Sequence, residues 1–147
     1  MFWQMLARNR YLWPVLAAWI TTQVSKPLIY RLTHGRWDWH WLYRPGGMPS
    51  AHSAAFAALA ASVGLIDGLD SATFAIAVIT AIVVLYDAAG VRRSAGIQAR
   101  ILNQILEELF SGRPIAQEHL REFIGHTPFE VLVGALLGVS FALVMLG

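Results

Sequence analysis

Four stretches of this chain carry no charged residue: residues 11–25, 50–66, 71–86 and 131–147. Any fold has to find an apolar environment for all four. Each is a little shorter than the ~20 residues of a bilayer-spanning helix. Flanking residues lengthen such a span, and Lys or Arg at its ends reaches back to the interface. A soluble bundle with very apolar core helices is the alternative, but four such runs leave little amphipathic surface for water. Composition points the same way: 56% of residues are hydrophobic and 14% charged, against about 25% charged in a soluble domain. The pattern predicts an all-α, integral membrane four-helix bundle made of one domain, 1–147. Its helices are expected at about 11–31, 50–66, 71–88 and 127–147.

Several further features refine this reading. Arg8 and Arg10 precede "YLWPVLAAWI", which resembles a signal peptide but is followed by no clear small-x-small cleavage site. It is expected to be a retained first helix. Ala54, Ala57, Ala58 and Ala61 mark the second run, and Gly134 and Gly138 form a small-xxx-small pair in the fourth. Small residues let helix backbones approach where lipid supplies no hydrophobic drive. The glycine face of helix four also offers a seam for a homo-oligomer. Between helices three and four, residues 91–125 form a polar loop containing "RRSAGIQARILNQILEELF". Its Ile97, Ile101, Leu102, Ile105, Leu106 and Leu109 recur at helical spacing, which predicts an amphipathic interfacial helix. Gly112 and Pro114 end it, and a shorter helix is expected at 116–124. Trp37, Trp39, Trp41 and Tyr43 cluster as an interfacial aromatic belt would. The net charge of +2 gives no reason to expect nucleic acid, and the absence of cysteine excludes disulfides and thiolate metal sites.

Four passes through a membrane bring distant residues together. The end of helix one, the start of two, the end of three and the start of four must share a side. The other side holds only the N-terminus and the turn "DGLD". The turn-rich segment "RPGGMPSAHSA" therefore meets Lys26, Asp87, Arg92, Arg93, His126 and Glu130. Gly46 and Gly47 permit a tight turn ahead of a helix N-terminus, where free N–H groups favour an anion. Ser50 adds a hydroxyl, and His52 can exchange a proton near neutral pH. A phosphate suits the site, although a capped loop with a polar interfacial histidine would read the same way. In "GHTPFEVLVGALLG", Thr127, Pro128 and Glu130 make a good helix start without any function. His126 is not explained by that. If Glu130 accepts a hydrogen bond from one imidazole nitrogen, the other is presented as a nucleophile. In "YDAAGVRRSAG", Asp87 either pins the loop through an arginine or shares it with a phosphate.

These residues resemble the phosphatidic acid phosphatase type 2 superfamily, which also includes the vanadium haloperoxidases. "GGMPSAHSA", "YDAAGVRRSAG" and "GHTPFEVLVGALLG", in that order, are similar to its divergent bacterial and plastid branch. The resemblance implies hydrolysis of a lipid phosphate, a phosphomonoester or pyrophosphate, by a metal-free phosphohistidine route with no cofactor. It makes His126 the nucleophile, Glu130 its orienting carboxylate and His52 the general acid. Lys26, Gly47, Ser50, Ala51, Arg92 and Arg93 would bind phosphate, with Asp87 alongside. Ala51 stands where the superfamily motif has glycine. Thr33 and Leu120 stand where its motif arginines would be, so Arg92 and Arg93 are expected to supply that charge. A fold kept for binding or assembly of a lipid phosphate, with little or no turnover, is the second reading, and a haloperoxidase a distant third. The implied setting is a bacterial inner membrane or a plastid-type membrane. Of the eleven Lys and Arg residues, all but Arg8 and Arg10 lie on the side of the site, which the positive-inside rule assigns to the cytoplasm.

Overall fold

The structure, a computed structural model, describes residues 1–43, 46–109 and 125–147, without the side chains of Arg92, Arg93, Glu107 and Glu108. The described residues are helical, with no strand. The helices are α1 (Phe2–Ala7), α2 (Leu12–His34), α3 (Ala51–Asp67), α4 (Ala72–Ala89), α5 (Val91–Leu109) and α6 (Pro128–Leu146), with a 3-10 turn at Trp39–Leu42. The stretches Ala72–Leu106 and Pro128–Leu146 are long and apolar enough to cross a membrane. Helix α3 is shorter, and α2 carries Lys26 and Arg31.

Side chains inside the structure are small. The central cluster is Ala18, Ala54 and Ala58, with Val15 and Phe141 packed on it. The largest fully buried side chains are those of Thr22, Pro14, Pro27, Ser50, Ser53 and Ser62. Large apolar residues point outward, among them Ile79, Val83, Leu136 and Val144. Helices that meet through small residues and turn their bulk outward are packed as in lipid, where close backbone approach replaces a hydrophobic core. Helix α3 sits against α2, α4 and α6, and α6 also touches α2 and α4. At Gly134 an added Cβ would lie 2.4 Å from the Ser50 carbonyl oxygen, and at Gly138 2.1 Å from that of Ala54. The α6 face that the sequence offers to a second copy is therefore occupied by α3 of the same chain.

The boundaries differ from expectation mainly at α2 and α5. Helix α2 runs past Pro27 to Gly35, which takes a left-handed conformation (φ 74°) and donates its N–H to the Arg31 carbonyl. Helix α5 begins directly after Gly90, with no polar linker. The expected shorter helix at 116–124, with Gly112 and Pro114, lies outside the described residues. Helix α1 and the 3-10 turn carry no apolar periodicity long enough to be read. At the end of the fold away from the turn-rich segment, Asp67 closes the α3–α4 turn. It accepts from the Tyr11 hydroxyl at the start of α2 and from Thr73 Oγ1 at 2.7 Å.

Candidate functional site

Helix α6 starts with a complete capping box. Thr127 Oγ1 accepts from the Glu130 N–H at 3.3 Å, and Glu130 Oε2 accepts from the Thr127 N–H at 2.9 Å. The same Oε2 lies 3.2 Å from His126 Nδ1. A carboxylate only accepts, so it places the imidazole proton on Nδ1 and leaves the lone pair on Nε2. His126 is 4% exposed. Its main-chain N–H donates to the Ala88 carbonyl at 3.1 Å, which ties the nucleophile candidate to the end of α4.

The second wall is the start of α3. Ser50 is the N-cap and is fully buried. Its Oγ accepts from Ser53 N–H at 3.3 Å and from Ser53 Oγ at 2.9 Å, which leaves the Ser50 hydroxyl hydrogen for another acceptor. The Ser50 N–H donates to the Glu130 carbonyl oxygen at 3.2 Å. Glu130 thus holds His126 with its side chain and Ser50 with its main chain. Ahead of Ser50, Gly46 (φ 89°) and Gly47 (φ 76°) both take left-handed conformations that side-chain-bearing residues rarely adopt.

The other expected residues lie on α2, α3, α4 and α5. Lys26, 4% exposed on α2, lies within electrostatic reach of Glu130. Ala51 is buried and His52 exposed in the first turn of α3. Asp87 is half-buried and adjacent to Ala88, the acceptor of the His126 N–H. Arg92 and Arg93 belong to the first turn of α5, but their side chains lie outside the described set, as do Arg44 and Arg121. Sequence reasoning missed Ser53, Ala88 and Trp41. A serine one turn into a helix behind a serine cap is a usable signal for the first. Ala88 acts through its main chain and leaves no signal. Trp41 reads as one of a belt.

Residues 7–141 match the family described as the divergent PAP2 family. The uncharacterized membrane protein YuiD of Bacillus subtilis (strain 168) is 39% identical over 141 residues, covering 88% of this chain and 89% of that protein. No solved structure matches.

Proposed function

The chain belongs to the divergent PAP2 family, and on that premise we propose that it is a membrane lipid-phosphate phosphatase acting through a phosphohistidine. The observation carrying this reading is the double use of Glu130, whose Oε2 holds His126 Nδ1 at 3.2 Å and whose carbonyl holds the Ser50 N–H at 3.2 Å. His126 Nε2 attacks phosphorus as the bond to the lipid oxygen breaks, and His52 gives that oxygen its proton. Water then attacks the phosphohistidine, His52 takes the water's proton, and inorganic phosphate leaves with Nε2 restored. Ser50, Lys26 and the N–H groups of Gly47 and Ala51 bind the phosphoryl oxygens, and Arg92 and Arg93 add charge beside Asp87. The attacking group is the imidazole itself, so this route requires no metal.

In this reading α2, α3, α4 and α6 are the four spans of one membrane domain, with the site on the cytoplasmic face. Helix α5 lies at the interface. Among the described side chains its buried positions are Gly96, Ala99 and Asn103, whereas Ile97, Ile101, Leu102, Ile105 and Leu109 are exposed. A helix that turns its large apolar side chains outward fits lipid and not water. A nitroxide at Ile101→Cys should be reached by oxygen more than by an aqueous nickel chelate; the reverse would remove α5 from the lipid.

The test of the activity is phosphate release by the purified protein from phosphatidate, phosphatidylglycerophosphate and isoprenoid phosphates, beside His126→Ala. Release that the variant abolishes supports the reading. A folded protein that releases none favours the second reading, a lipid-phosphate-binding or assembly protein. The observation on that side is Thr33 and Leu120 standing at the superfamily's motif arginine positions.

A further inference from the structure

The aromatic segment 37–43 is not one uniform belt. Trp37 and Trp39 stack on each other at 5.2 Å and are 51% and 61% exposed. Trp41, in the same 3-10 turn, points inward. A Cβ built on Gly47 would lie 2.6 Å from Trp41 Cζ3 and 3.0 Å from Cε3. The six-membered ring of the indole thus lies against Gly47 in the loop before Ser50. From the other side α2 grips the same turn. Gln23 Nε2 donates to the Leu42 carbonyl at 2.6 Å, and the Tyr30 ring lies 5.5 Å from that of Trp41. Asp38 Oδ1 caps the turn by accepting from the His40 N–H at 3.0 Å. Gln23, Lys26 and Tyr30 recur at helical spacing on one face of α2. The indole therefore fills the space between the helix face that carries Lys26 and the loop that carries Gly47.

We propose that Trp41 is a positioning residue that sets the loop 46–49 at a fixed distance from α2, and so holds the Gly47, Ser50 and Lys26 groups on one phosphoryl position. Its catalytic consequence rests on the phosphatase reading; the brace itself does not. Two constraints act on the loop together. Gly47 has a left-handed φ, and it has no room for a Cβ because the indole is there. Removing the indole frees the loop on one side without touching the α3–α6 contact at Gly134 and Gly138.

The chain has no cysteine, so single thiols report opening. Ser50→Cys and Ser62→Cys both probe positions of α3 that are fully buried. Each is labelled with a soluble maleimide in the native background, in Trp41→Ala and in Trp41→Phe. Trp41→Ala is expected to speed labelling at position 50 by about tenfold or more, with position 62 unchanged and Trp41→Phe in between. A cysteine-free Trp41→Ala is expected to lose on the order of 10–100-fold in kcat/KM for phosphate release, the cost of a misplacement near 1 Å. Equal acceleration at both positions marks general loosening and overturns the proposal, as does no acceleration at 50. Selective opening at 50 in a protein whose native form releases no phosphate upholds the brace and removes the phosphatase reading alone. Selective opening with unaltered kcat/KM overturns the positioning role.

Discussion

Replacing Gly138 with alanine adds one methyl group where the structure has no room. The new carbon would lie 2.1 Å from the Ala54 carbonyl oxygen and 2.9 Å from both Ala54 C and Ala58 N. All three are main-chain atoms of α3, so no rotamer change relieves the contact. Ordinary carbon contacts begin at about 3.5 Å, so α6 must move off α3 by roughly 1 Å. Overpacking of this kind costs about 1–3 kcal/mol, or roughly 2–12 °C in melting temperature for a chain this size. The displacement also reaches the site along the same helix pair, because α6 delivers the Glu130 carbonyl to the Ser50 N–H at 3.2 Å. A shift near 1 Å there should lower turnover on the order of 100-fold. The assay is thermal unfolding in detergent with phosphate release on the same preparation. Leu136→Ala serves as the control, since Leu136 is 60% exposed on α6. A Gly138→Ala protein as stable and active as Leu136→Ala would refute the claim that backbone contact between α3 and α6 sets the site.

Thr127→Ala and Glu130→Gln separate capping from chemistry. The first should cost about 1 kcal/mol of stability with turnover within a few-fold. The second should lower turnover on the order of 10²–10⁴-fold, because the amide no longer fixes the His126 tautomer; equal losses in the two would reduce Glu130 to a cap. At the far end, the carboxyl of Asp67 is held below its ordinary value by the hydrogen bonds from Tyr11 and then Thr73. Its stabilisation is therefore present above the ordinary carboxylate range and is lost as pH falls through the lower folded value. The stability advantage of the native protein over Tyr11→Phe should hold at pH 6 and shrink below about pH 4; an advantage independent of pH would contradict this. A single thiol at Asp70→Cys, in the turn opposite the site, should react with an impermeant maleimide added outside intact cells. Labelling from the cytoplasmic side alone would invert the orientation.

How much the sequence disclosed depended on whether a feature was local. The capping box at Thr127–Glu130 and the Ser50 cap were legible because both are contacts within one helical turn. The meeting of Ser50 with Glu130 followed from counting four passes, since that topology leaves the starts of α3 and α6 on one side. Gly134 and Gly138 announced a close helix contact, but not which helix; only the Ser50 and Ala54 carbonyls identify α3. A first membrane span expected to end at about residue 31 says nothing of how far the helix continues beyond it, and α2 runs on to His34 and a glycine cap at Gly35. The separate fates of Trp39 and Trp41 could not be read, because two tryptophans in one 3-10 turn look alike until the turn is packed on α2.

The central claim is that His126 carries the phosphoryl group, and the most direct measurement is capture of that intermediate. The purified protein would be mixed with radiolabelled lipid phosphate, quenched in alkali and mapped by peptide. The account predicts an acid-labile, alkali-stable phosphoryl adduct on His126, absent in His126→Ala and formed more slowly in His52→Ala, where the acid for the leaving oxygen is lost. Phosphate release that persists in His126→Ala, or an adduct on any other residue, would contradict it.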